Sequence, residues 1–229
     1  MTELTLKQVD RDEALLETVA ELHGSTRAEA LRGAALGSAA LLATLAAPAA
    51  AADRLGDVRI LNFGLRFERL QASFYTEADE VGTVGRMAAP KQRWAEVLGA
   101  HERAHVRILK KVLGRHAGRR PFFDYHGVTE SEDGFTRTAV AMEDLTVALL
   151  AGVTPQLHDR RLTAALFGLL TTEARHAAWA RNIVETTPAA RAFDEPRSLE
   201  DVSATVAATH FIVAHPRMTR RRRGPRFTG

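Results

Sequence analysis

Four stretches of this 229-residue chain carry apolar side chains at helical spacing, and each is interrupted near its middle by an ionisable residue on the same stripe. Steps of four and three residues align Leu61, Leu65, Glu68, Ala72 and Tyr75 on a helix predicted over about 55–80. A second, over about 91–114 and stopped by Gly114, aligns Trp94, Leu98, Glu102, His105, Leu109 and Val112. The third, over about 132–152, aligns Thr136, Val140, Glu143, Val147 and Leu150. The fourth, over about 159–185, aligns Leu162, Leu166, Leu169, Glu173, His176, Ala180 and Ile183. A face of this kind can be buried only where something satisfies its charge, so the four interruptions have to meet.

The connections predict how the helices are arranged. Helices one and two, and likewise three and four, are joined by short segments holding Gly82, Gly85 and Pro90 in one case and Pro155 in the other, as antiparallel neighbours need. Between Gly114 and Phe135 the chain reads GRHAGRRPFFDYHGVTESED, rich in Gly, Pro and charge. A helix of about 24 residues is roughly 36 Å long and 20 extended residues reach roughly 65 Å, so this segment can run the length of a bundle. The expectation is an all-α fold: a four-helix bundle with a long crossover between helices two and three. A shorter helix over about 198–214, carrying Val202, Val206, Phe211 and Val213, is expected to pack on it. Strand signals are nearly absent.

The interrupting residues repeat in order: a lone Glu68, then Glu102-x-x-His105; a lone Glu143, then Glu173-x-x-His176. The lone glutamates lie 75 residues apart and the pairs 71 apart, which reads as two similar helix hairpins. Residues i and i+3 occupy neighbouring lines of one helix face, close enough to share an ion. Burying one unpaired carboxylate costs several kcal/mol, and four together would also repel one another. Two divalent cations would neutralise the four glutamates, with both histidines neutral. In this reading Glu143 and one partner glutamate bridge the ions, one histidine binds each, and Arg69, Arg103 and Arg175 offer an outer shell.

AHERAHV also contains H-E-x-x-H, the zinc-protease pattern, in which His101 and His105 would bind one ion and Glu102 would be the base. That alternative gives no reason for the second Glu-x-x-His in TTEARHAAW, nor for Glu68 and Glu143 on apolar stripes. In the dinuclear reading His101 is a packing or outer-shell residue. Tyr75, on the Glu68 stripe, is read as a core tyrosine with a satisfied hydroxyl or as a neighbour of the centre, and Trp179 as packing. His116, His126, His158, His210 and His215 show no paired-ligand spacing.

Cysteine is absent, which excludes thiolate ligands, thiol nucleophiles and a disulfide framework. The net charge of +3 comes from a tail over 216–229 that includes Arg220 to Arg223; without it the body is slightly acidic, so no specific nucleic-acid binding is expected. The tail is read as solvated and disordered. Residues 1–52 form a leader whose charge-free stretch from Gly33 to Ala52 is Ala-rich, holds Pro48 and ends in small residues. The preceding STRAEALR is a degenerate twin-arginine-like signal with Ala28 at the second arginine. Export to the periplasm or cell envelope is the expectation, with a retained Ala-rich helix in a cytoplasmic protein as the alternative.

The segments DVRILNFGLRFERLQASFYTEA, VLGAHERAHVRIL, RPFFDYHGVTESEDGFTRTAVAMEDLTVALLAG, LLTTEARHAAWARNI and AFDEP resemble the ferritin-like superfamily, and within it the bacterial ferritin-like domain proteins related to plant desiccation-related proteins. The resemblance spans about 53–215. It implies a ferritin-like four-helix bundle with a di-iron-type centre, in which Glu68, Glu102, His105, Glu143, Glu173 and His176 fill all six ligand positions. The expected cofactor is a pair of iron ions, with manganese as the alternative, and the expected partners are dioxygen or peroxide. The expected activities are iron oxidation, peroxide removal (by disproportionation if manganese is bound) or protection during desiccation and oxidative stress. A non-catalytic, metal-containing stress protein is the rival.

Overall fold

The computed structural model describes residues 54–215; the predicted leader and basic tail lie outside the described residues. The helices are α1 (Arg54–Glu80), α2 (Ala89–Leu113), α3 (Glu132–Val153), α4 (Arg160–Ile183) and α5 (Leu199–Thr209). The first four match the ranges expected from the stripes to within two residues. Their ends follow from local chemistry. Pro90 sits in the first turn of α2, and Gly114 terminates it with φ 51°, a left-handed value that glycine tolerates. Ser131 caps α3 by accepting from the Gly134 amide, Asp159 caps α4 through the Arg161 amide, and Ser198 caps α5 through the Asp201 amide.

α1 packs against α2, and α3 against α4, as two antiparallel hairpins that close into one bundle. Asp57, buried in the first turn of α1, accepts from the backbone amides of His158 and Asp159 at 3.0 Å each, and so joins the start of α1 to the start of α4. The crossover lies along α1 and is fastened at steps of about two turns. Asn62 bonds the His116 carbonyl and the Gly118 amide, Arg69 donates to the carbonyls of Gly118 and Arg119, the Tyr125 hydroxyl donates to Leu70 O, and Thr129 donates to Glu77. Arg69 therefore serves the crossover rather than the expected outer shell.

Two differences from the sequence expectation concern strands. Within the crossover, β1 (Phe122–Phe123) pairs antiparallel with β2 (Ile212–Val213), and Asp124 N donates to Phe211 O. The terminal helix stops at Thr209 because His210 adopts a left-handed φ of 55° and turns the chain into β2. Val202 and Val206 are buried as expected, but Phe211 packs on Tyr125 from extended chain rather than from a helix. The ladder is two residues long and formed by β-branched and aromatic side chains, which a period-based reading cannot separate from loop.

α2 lies tightly against α1 at Gly99. A Cβ there would meet Tyr75 Cβ at 2.9 Å and Arg103 Nη1 at 3.1 Å. Gly99→Ala must push the helices apart and is expected to cost about 1–3 kcal/mol, read by urea unfolding, despite alanine's higher helix propensity. An unchanged or higher midpoint would show that the contact has room to relax.

Candidate metal centre

The bundle brings all six predicted side chains to one place in its interior. Glu102, Glu143 and Glu173 are 0% exposed, Glu68 2% and His176 3%. His105 is the most accessible of the six, with 12% of its side chain exposed. They form two overlapping groups, Glu68–Glu102–His105–Glu173 and Glu102–Glu143–Glu173–His176, whose candidate ligand atoms lie within 4.8 Å of one another in each group.

Each histidine Nδ1 faces three carboxylates. His105 Nδ1 is 3.2 Å from Glu68 Oε2, 3.0 Å from Glu173 Oε1 and 3.7 Å from Glu102 Oε2. His176 Nδ1 is 3.2 Å from Glu102 Oε1, 3.3 Å from Glu173 Oε2 and 3.6 Å from Glu143 Oε2. Glu102 and Glu173 therefore direct one oxygen towards each histidine, while Glu68 stands only on the His105 side and Glu143 only on the His176 side. This corrects the expectation that Glu143 occupies a shared position. Glu102 and Glu173 stand on α2 and α4, from which each reaches both halves.

The donor set fits a cation. Both oxygens of Glu102, both of Glu173, Glu143 Oε2 and His176 Nδ1 are buried without a well-aligned hydrogen bond, although the histidine nitrogens lie 3.0–3.7 Å from these carboxylates. Carboxylate oxygens that face one another in a dry interior can be satisfied only by protons or by metal. Protons can meet part of this demand, because the groups shift in complementary directions. Burial, reinforced by Glu102, raises Glu68 well above the usual carboxylate range, and burial carries Glu143 up to about 8. Burial works against the charged forms of Glu102 and Glu173 too, but His105 and His176 outweigh it and hold both carboxyls low. The two imidazoles, though buried, are raised well above 6.5 by the surrounding carboxylates.

Tyr75 donates to Glu143 Oε1 at 2.6 Å and stays protonated, because burial and the Glu143 charge push its hydroxyl well up. It is both a core tyrosine and a neighbour of the centre. Tyr75→Phe is expected to cost about 1–3 kcal/mol in metal-free protein, since Glu143 loses its donor in a dry site. The readout is the urea midpoint with a chelator present, and an unchanged midpoint would contradict the bond.

His101 is in neither group. Its Nδ1 lies 2.9 Å from His176 Nε2, with the rings stacked at 5.1 Å, so it contacts His176 from the side away from the carboxylates. Burial, with the two neighbouring histidines, lowers its pKa to about 4, leaving a neutral ring that can accept from His176 Nε2–H. The zinc-protease geometry, with His101 and His105 on one ion and Glu102 free, is not formed. Arg103 and Arg175 do not reach the carboxylates; their side chains donate to Thr76 and Thr172. Among the described residues, the other histidines, at 116, 126, 158, 210 and 215, stand outside both groups.

Sequence periodicity did not indicate the buried polar pair beside the centre, Thr146 Oγ1 donating to Gln71 Oε1 at 2.5 Å. Nor did it show the aromatic cluster at one end, where Phe135 packs on Phe74, Tyr75 and Trp94 with ring centroids 5.0, 5.5 and 5.7 Å away.

No protein of curated function matches the chain. Residues 56–186, more than half of the sequence and the whole of α2, α3 and α4 with nearly all of α1, match the ferritin-like domain. Two helix hairpins, a long crossover and a buried carboxylate–histidine cluster at their centre accord with that match, and the chain belongs to the ferritin-like domain family.

Proposed function

We propose that this protein is a dinuclear carboxylate metalloprotein of the di-iron type whose reduced centre reacts with dioxygen or peroxide. The observation that carries the proposal is the division of Glu102 and Glu173, each with one oxygen towards His105 and the other towards His176. Glu68 and His105 would help to hold one ion and Glu143 and His176 a second, with Glu102 and Glu173 available to both. Oxygen-rich ligands with two imidazoles suit iron and manganese.

When bound, a ferrous pair supplies two electrons, enough to reduce one O2 to hydrogen peroxide, or one hydrogen peroxide to two waters, with two protons taken up in either case. The protein's own residues set the conditions for that chemistry. Tyr75 fixes the orientation of Glu143, and His101 contacts the outer nitrogen of His176. The aromatic cluster of Phe74, Tyr75, Trp94 and Phe135 keeps water from that end of the centre. The resemblance to desiccation-related proteins supports a protective role under drying or oxidative stress, and the charge-free run over 33–52 supports export of the domain.

Ferrous iron added in successive portions to the anaerobically prepared protein, followed by air or, in a parallel series, by hydrogen peroxide, tests the reading. Oxygen uptake is expected to continue in proportion to iron beyond the first two ions per chain. A single slow oxidation of the first portion would favour a structural metal, and bound ferrous iron inert to both oxidants would contradict the proposal.

A further inference from the structure

The proposed function leaves two oxidants, dioxygen and peroxide, and the surroundings of His105 distinguish them. A cleft of about 30 Å³, partly open to solvent, reaches the centre on the His105 side between α1, α2 and α4. It is lined by Leu61, by Ile108 and Leu109, by Ala165, Leu166 and Leu169, and by His105. Among the described residues lining it, His105 alone can hydrogen-bond. His105 is also the least buried of the six clustered side chains, whereas Phe74 and Phe135 at the aromatic end are 0% exposed. The cleft therefore offers a way from solvent to His105 that runs over hydrocarbon.

Such a path selects by polarity. Hydrogen peroxide and a hydrated cation would have to give up hydrogen bonds or coordinated water with nothing on the walls to replace them. Dioxygen has neither to lose. Room for about two water-sized spheres suits a diatomic molecule, and apolar cavities in proteins stay dry while accepting small apolar guests. We propose that this cleft is a binding and access site for dioxygen, with Ala165 as the residue that keeps it open, and that dioxygen rather than peroxide is the oxidant the centre receives through it. The proposal rests on the metal chemistry of the preceding subsection.

Xenon-pressurised crystals of the full chain test the site without any metal, and oxygen uptake by the ferrous-loaded protein tests its use. Xenon is expected in the cleft of the native protein. In Ala165→Leu, whose added carbons occupy the cleft, xenon is lost and the initial rate of oxygen uptake falls about tenfold, with ferrous binding unchanged. Oxidation driven by hydrogen peroxide, not supplied through the cleft, is unaffected by that change. Leu169→Ala, which widens the opening, is expected to retain xenon and to oxidise at least as fast as the native protein. No xenon in the native cleft, or an Ala165→Leu protein that takes up oxygen at the native rate, would overturn the proposal. Xenon in the cleft of a protein that binds ferrous iron but consumes no oxygen would instead overturn the dioxygen chemistry on which it rests.

Discussion

Glu173→Gln is expected to abolish binding of both metal ions, lowering the affinity of each site by at least about 100-fold, whereas Glu68→Gln and Glu143→Gln each leave about one ion per chain. The asymmetry follows from placement: Glu173 has an oxygen in each half of the cluster, as does Glu102, while Glu68 and Glu143 each serve one half. Glutamine preserves the side-chain shape, so losses reflect charge and ligation more than packing. His101→Ala, which the zinc-protease arrangement would make fatal to metal binding, is expected to leave two ions in place because that ring lies outside both groups. Metal analysis of the dialysed variants, with circular dichroism as a check on the bundle, gives the answer. Equal losses for the three glutamate variants would contradict the division of shared and single positions, and loss in His101→Ala with retention in Glu173→Gln would restore the protease reading.

The second large effect is that pH acts in opposite directions on the metal-free and loaded protein. In the metal-free cluster the raised groups, His105, His176, Glu68 and Glu143, hold protons, and two imidazolium charges face the carboxylates of Glu102 and Glu173. All four raised groups bind protons more tightly folded than unfolded. The stability from the two histidines is complete below about pH 6.5 and is lost as pH rises through their folded values; the carboxyls of Glu68 and Glu143, ordinarily ionised above about 4.5, penalise the fold increasingly over the same range. The metal-free melting temperature should therefore fall between about pH 5.5 and 8.5. Two divalent cations displace those protons, so loading is expected to release about four of them, and affinity climbs with pH. At about 1,000 times Kd each ion adds about 4 kcal/mol, or roughly 8–16 °C for a chain of this size. Melting curves across that range, with chelator and with ferrous or manganous ion, should diverge as pH rises. A metal increment that is flat or shrinks with pH would contradict the protonated cluster.

The helices and the six convergent residues were legible because burial and charge conflict openly in the sequence. A glutamate at a helical step between Leu65 and Ala72, or between Val140 and Val147, has no ordinary reason to be there, and the Glu-x-x-His repeats supplied the partners. Which carboxylates occupy both halves was not legible, because it depends on how far each helix is rotated in the bundle, and periodicity fixes a stripe but not an oxygen atom. Tyr75 was placed on the right face, yet its bond to Glu143 is a contact across 68 positions that only packing creates. The β1–β2 ladder and the fastening of the crossover by Asn62, Arg69 and Tyr125 were likewise invisible, since each joins distant segments through one or two backbone groups.

The most direct measurement is anomalous scattering from crystals of the full chain grown with ferrous or manganous ion. Two peaks are predicted in the bundle interior, one against His105 and Glu68, the other against His176 and Glu143, with Glu102 and Glu173 touching both. A single peak held by His101 and His105, or metal bound only at the surface and none in the buried cluster, would contradict the account.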